Sequence, residues 1–324
     1  MRYINIYNNE FTYDNKLYII IKHTKINDSN RTEMYYADLI CDNQIIKIVT
    51  KKFYNKSISL YNFEHNIHCK LSTRLNSESI EYDILFCDTI SKILIFPYVG
   101  KTLNDEYNLK KHILSDKLLM FNQLISYVDK LLKIGIIHND IKPINLCISN
   151  NKLTLIDFGN AYIIPEDVDA LNEINTTFNA SSPEYFILAH TTFPKFPLYS
   201  NIFNNQQIKF LKLIEKMQHM TLAGILIGLL LDDIHFYYRT FLEITKYKLL
   251  NCETSDMKKR FEPINRLNIH KISEICLKKL ILNNIDQNLI DIIMNMLSYD
   301  YNDRLSLSEI YDWIQNVYDD LKNK

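Results

Sequence analysis

Two short runs restrict this chain more than anything else in it: His138-Asn139-Asp140-Ile141-Lys142-Pro143-Ile144-Asn145 and, after it, Asp157-Phe158-Gly159. They gather two carboxylates, two carboxamides and a lysine in a stretch that Asn, Asp and Pro keep out of a helix interior. An amphipathic segment, Lys117–Lys133, precedes them, and the short apolar segment Leu153–Ile156 lies between them. Asn145 and Asp157 are hard oxygen donors of the kind Mg²⁺ takes alongside phosphate and water. Asp140 is suited to orienting a hydroxyl and accepting its proton. Lys142, two residues on, supplies positive charge for a phosphoryl group. Pro143 stiffens the loop, and Gly159 would let the chain turn sharply after Asp157.

With 324 residues, 47% of them hydrophobic and 23% charged, the chain is long enough for a sizeable core, in two lobes or domains. Its formal net charge of −1 gives no electrostatic reason to expect nucleic acid or an anionic membrane as the main partner. The six cysteines are dispersed with no Cys-x-x-Cys, which reads as reduced thiols in an intracellular, cytoplasmic setting. His65 and His68 share a helix face but lack a third ligand, so packing is the expected role. The N-terminus has no apolar signal run, and Leu222–Leu231 is too short to span a bilayer, so a soluble protein is expected. Asn, Ile, Lys and Tyr are abundant and glycines number only five, a bias that AT-rich coding favours in large DNA viruses, protists or some bacteria. For a virus, the compartment would be the host cytoplasm.

Leu17–Lys22 reads as a strand, as do Met34–Cys41 and Gln44–Thr50, which are joined at Asp42-Asn43. Lys56–Leu75 carries apolar residues at helical spacing, and Tyr82–Cys87 and Lys92–Phe96 read as two more strands. From Lys117 onward helices dominate: Lys117–Lys133 stopped by Gly135, then Met220–Leu231, Phe236–Leu250, Asn288–Leu297 and Ser306–Leu321. Ser306 or Ser308 would cap the last helix, with Glu309 in its first turn. The expected class is α+β, with a β-rich front holding one helix and a mainly helical back.

The two runs resemble the catalytic loop (H-x-D-x-K-P-x-N) and D-F-G motif of protein kinases. That resemblance implies a single bilobal kinase domain over 1–324, with an N-lobe at about 1–97, a hinge at about 97–101 and a C-lobe at about 102–324. It implies transfer of the γ-phosphate of ATP, with Mg²⁺, to Ser/Thr hydroxyls of protein substrates. Asp140 would be the base, Lys142 would reach the γ-phosphate, and Asn145 and Asp157 would hold the metal. Ile45-Ile46-Lys47 resembles the V-A-I-K strand, making Lys47 the lysine for the α/β-phosphates and Glu64 its ion-pair partner. Ile95-Phe96-Pro97-Tyr98-Val99 resembles the adenine-binding hinge, with Phe96 as gatekeeper and Val99 offering backbone bonds. Ser182-Pro183-Glu184 resembles A-P-E, with Glu184 paired to Arg304, and Thr177 falls where Ser/Thr kinases bond the catalytic Asp and Lys.

The sequence also departs from the family. Asn27, Ser29 and Thr32 stand at the three glycine positions of the phosphate-binding loop, with Asn expected to tolerate the left-handed region there. Asn139 replaces the usual Arg, which argues against activation by an activation-loop phosphate. His219 replaces an anchoring Asp, His68 an apolar spine residue, and Phe193–Lys216 is extra. A pseudokinase scaffold, and a small-molecule kinase of the choline or aminoglycoside type, are the alternatives. Met34–Asp38 and the non-Arg loop resemble the casein-kinase-1/vaccinia-related group.

Overall fold

The computed structural model describes residues 2–74, 84–105, 109–163, 215–216, 218–244 and 266–323. The chain divides into two compact units, Met1–Gly100 with Thr154–Ala161, and Lys101–Leu153 with Tyr162–Lys324. The first is rich in strand and the second in helix, an α+β arrangement.

In the first unit seven strands form one sheet in the order β1-β6-β7-β5-β4-β3-β2. They are β1 (Tyr3–Ile4), β2 (Glu10–Tyr13), β3 (Lys16–Asp28), β4 (Thr32–Cys41), β5 (Gln44–Phe53), β6 (Phe86–Asp88) and β7 (Ile93–Pro97). β1 and β2 lie ahead of the first expected strand. Tight turns set the register. Asp14-Asn15 and Asp42-Asn43 all have positive φ, the geometry of two-residue hairpins, and both turns use Asp and Asn where glycine is scarce. Alternate residues of the strands meet on one face, where Ile4, Phe11, Ile20, Ala37, Leu39, Ile48, Phe86 and Ile95 form a core. Each Ile, Leu or Phe among them contributes about 1.5–3 kcal/mol relative to exposure. Helix α1 (Ile58–Arg74) is the one helix described in this unit and buries Tyr61, Glu64, Ile67, His68 and Leu71.

In the second unit α2 (Leu114–Lys133) starts three residues before the expected helix. It ends where Gly135, at φ 74°, donates its N–H to Leu132 O. The short strands β8 (Lys101–Thr102), β9 (Ile136–Ile137), β10 (Leu146–Ser149) and β12 (Tyr162–Ile163) flank the motif region, and β11 (Lys152–Leu155) runs across the division of the chain at Thr154. Five further helices are described: α3 (His219–Leu230), α4 (Phe236–Ile244), α5 (Arg266–Leu282), α6 (Gln287–Met296) and α7 (Leu307–Lys322). α3 is apolar on every side and buried along nearly its whole length, as a helix at the centre of a helical unit must be. Ser306, not Ser308, caps α7, and the Glu309 side chain closes the box on the Ser306 N–H at 2.7 Å. The part of Phe236–Leu250 beyond Ile244 lies outside the described residues. No described helix is long and apolar enough to cross a membrane.

Candidate active site

Strand β5 runs to Phe53, three residues past its expected end at Thr50, and that extension changes the assignment of the key lysine. Only its later part, Ile48–Lys52, is flanked on both sides, by β4 and β7. Lys51 is buried there, and its Nζ lies 2.7 Å from Glu64 Oε2 and 2.9 Å from Asp157 Oδ1. Lys47 lies ahead of the two-sided part, with an exposed side chain, and its carbonyl accepts the N–H of Tyr98. The expectation for Lys47 is therefore corrected: Lys51 is the lysine that faces Glu64. In the sequence Ile48-Val49-Thr50-Lys51 fits the strand pattern as well as Ile45-Ile46-Lys47.

Burial works against charge on Lys51, but the carboxylates of Asp157 and Glu64 outweigh it and hold the ammonium above the ordinary lysine range. Asp157 takes the left-handed conformation, φ 65° and ψ 77°. The sharp turn expected at Gly159 thus falls on Asp157. Glycine at 159 leaves room for these carboxylates, because a methyl group there would lie 3.2 Å from Asp157 Oδ1, which would have to shift by a few tenths of an ångström, and 3.4 Å from Glu64 Oε2. Phe158 is buried, and its ring stands edge-on to His68 at 5.3 Å. The opposite neighbour of His68 is Phe96, also at 5.3 Å. His68 thus fills a buried aromatic column in place of an apolar residue. Val99 follows β7, half-buried.

The β3–β4 turn spans Ser29–Arg31. Ser29 Oγ accepts the N–H groups of Arg31 and Thr32 at 3.2 and 2.9 Å, which closes the turn without glycine. Asn27 sits within β3 opposite Met34, and none of residues 27–32 has positive φ. The left-handed geometry anticipated for Asn27 is therefore not used. A serine hydroxyl replaces glycine freedom in shaping this turn.

In the second unit the loop after β9 places Asp140, Lys142 and Asn145 together. Lys142 Nζ lies 2.8 Å from Asp140 Oδ2. Asn145 Nδ2 donates to the Asp140 carbonyl at 2.8 Å and to Oδ2 at 3.0 Å. With its amide nitrogen directed at Asp140, Asn145 has its oxygen end left to ligate. Asp140 is almost fully buried, and its own N–H donates to His138 Nδ1 at 3.3 Å. Asn139 reaches the bend by adopting φ 70°, which Asn tolerates. Arg304 is buried and donates to the carbonyls of Ser298 and Lys216. Its expected partner Glu184 lies outside the described residues, as do Thr177, Ser182-Pro183 and the extra segment up to residue 214.

Residues 36–200, just over half of the chain, match the protein kinase domain family. The chain belongs to that family. A stretch of 47 residues is 53% identical to Serine/threonine-protein kinase PKH1 of Saccharomyces cerevisiae, covering 14% of this chain and 6% of the yeast protein. Membership brings nucleotide binding as the family's common chemistry.

Proposed function

We propose that this kinase domain transfers the γ-phosphate of ATP to Ser/Thr hydroxyls of proteins. The observation that carries the reading is the buried Lys51 held between Glu64 and Asp157. A charged lysine fixed in this way is what the α/β-phosphates of ATP require. Asp140 is the proposed base, its carboxylate oriented by Asn145 and charge-paired with Lys142. Lys142 is proposed to shift from Asp140 to the transferred phosphoryl group. Val99 is proposed to offer its backbone to adenine, and the Ser29–Thr32 turn to cover the phosphates.

Mg²⁺ fits the donor chemistry. Asp157 and Asn145 are each an oxygen donor of the kind Mg²⁺ takes, and the ion favours one or two such ligands plus phosphate and water over an all-protein cage. When bound, the ion would neutralise phosphate charge. Protein acceptors are favoured over metabolites by Lys142-Pro143 and by the Ser-Pro-Glu motif with Arg304. The dispersed thiols support an intracellular setting, and the Met34–Asp38 strand supports kinship with the casein-kinase-1/vaccinia-related group.

An ADP-release assay with protein, peptide-library and metabolite acceptors tests this, run on the wild type and on Asp140→Asn. Release stimulated by proteins and lost in the variant supports the reading. Stimulation by choline or an aminoglycoside alone would favour a small-molecule kinase, and no release with any acceptor a pseudokinase.

A further inference from the structure

Next to the Glu64 side of α1, two thiols converge on one imidazole. Cys69 Sγ lies 3.8 Å from Nδ1 and 4.0 Å from Nε2 of His65, one turn back on the helix. Cys87 Sγ, on β6, lies 3.8 Å from the same Nε2. The ring is fixed by stacking on Tyr61 at 5.7 Å and a tilted contact with Tyr3 at 5.8 Å. Cys69 and His65 are half-buried, whereas Cys87 is fully buried. No group of three His, Cys, Asp or Glu side chains among the described residues has the arrangement of a metal site. The chemistry open to this cluster is therefore that of a thiol pair with a base between them.

We propose that Cys69 and Cys87 are a peroxide-reactive pair that closes to a disulfide, with His65 as the proton carrier. The step balances with hydrogen peroxide as oxidant. The Cys69 sulfur gives its proton to His65 and attacks one peroxide oxygen; the O–O bond breaks, and hydroxide leaves and takes the proton back as water. The Cys87 sulfur then attacks the Cys69 sulfenic sulfur, the S–O bond breaks, and a second water leaves with the Cys87 proton. Two thiols are oxidised by two electrons and one peroxide is reduced to two waters.

Exposure decides the order. Cys69 is the reachable thiol, whereas burial pushes the Cys87 thiol up to about 11, which suits it to resolving and not to first attack. Burial also keeps His65 below the ordinary histidine range, so its ring is neutral at rest and holds a transferred proton only until hydroxide takes it. The bond would tie α1, which carries Glu64, to strand β6.

The test exposes the full chain to equimolar hydrogen peroxide, blocks remaining thiols by alkylation and maps peptides by mass spectrometry. The expected product is a linked Cys69–Cys87 peptide, cleaved by a thiol reductant, with Cys147 and Cys276 still alkylated. Those two thiols are buried, and burial pushes both up to about 12, with the Asp105 charge acting the same way on Cys147. Cys87→Ser should leave a dimedone-reactive sulfenic acid on Cys69. His65→Ala should slow linkage by about tenfold or more, with circular dichroism checking that the variant is folded. Absence of the linked peptide, random pairing among all the cysteines, or an unchanged rate in folded His65→Ala would overturn the proposal.

Discussion

Lys51 and Glu64 form a buried ion pair, with Nζ 3.0 and 2.7 Å from the two carboxylate oxygens. Removing one member leaves the other as a buried, uncompensated charge, which costs about 3–5 kcal/mol. Lys51→Met should therefore lower unfolding free energy by about that amount in urea titrations. Adding Glu64→Leu should restore most of the stability but none of the activity. Equal stability losses in the single and double variants would contradict the pairing.

His219 heads α3, fully buried, and neither ring nitrogen has a hydrogen-bond partner among the described residues. Burial holds its pKa well below the ordinary value, and the charges of Arg304 and Lys216 push the same way. The unfolded chain, whose histidine titrates near ~6.5, takes up a proton that the folded chain refuses. Stability is thus full above that pH and falls as pH drops below it, by up to about 1.4 kcal/mol per pH unit. Between pH ~7.5 and ~5.5 the wild type should lose about 1.4 kcal/mol more than His219→Leu. Equal pH dependence of the two proteins in denaturant titrations would refute this.

A methyl group on Gly228 would lie 2.7 Å from the Cα of Ile234, a backbone atom that cannot swing aside. The same turn is closed by the Asp233 N–H on Gly228 O at 3.0 Å. Gly228→Ala should destabilise by about 1–3 kcal/mol despite alanine's higher helix propensity. A thermal melt at or above the wild-type midpoint would show that the α3–α4 corner has room.

Much of this was readable in the sequence because it is local. The catalytic-loop run and Asp157-Phe158-Gly159 carry their geometry in consecutive residues. Ser306 and Glu309 declare a helix start, and Asp42-Asn43 declares a hairpin. The lysine was not local. Lys51 is followed by Lys52, a pair that resembles the polar end of a strand, and only the flanking of β5 by β4 and β7 carries the sheet onward to Phe53. Helix α5 is poorly marked in the sequence for a related reason. Ile269, Ile272, Cys276 and Leu280 face inward, but Ile275, Ile281 and Leu282 are exposed, so its apolar stripe is blurred. The role of Gly159 depends on Glu64 and Asp157 approaching its backbone, a tertiary fact that no motif announces.

The most direct measurement is Mg-ATP-dependent phosphate incorporation into a general protein acceptor by the wild type, Lys51→Met and Lys47→Met, each checked for folding. The account predicts turnover by the wild type, a loss of about 10²-fold or more in Lys51→Met, and near wild-type turnover in Lys47→Met. No incorporation by the wild type at millimolar Mg²⁺, or a loss that follows Lys47 and spares Lys51, would contradict it.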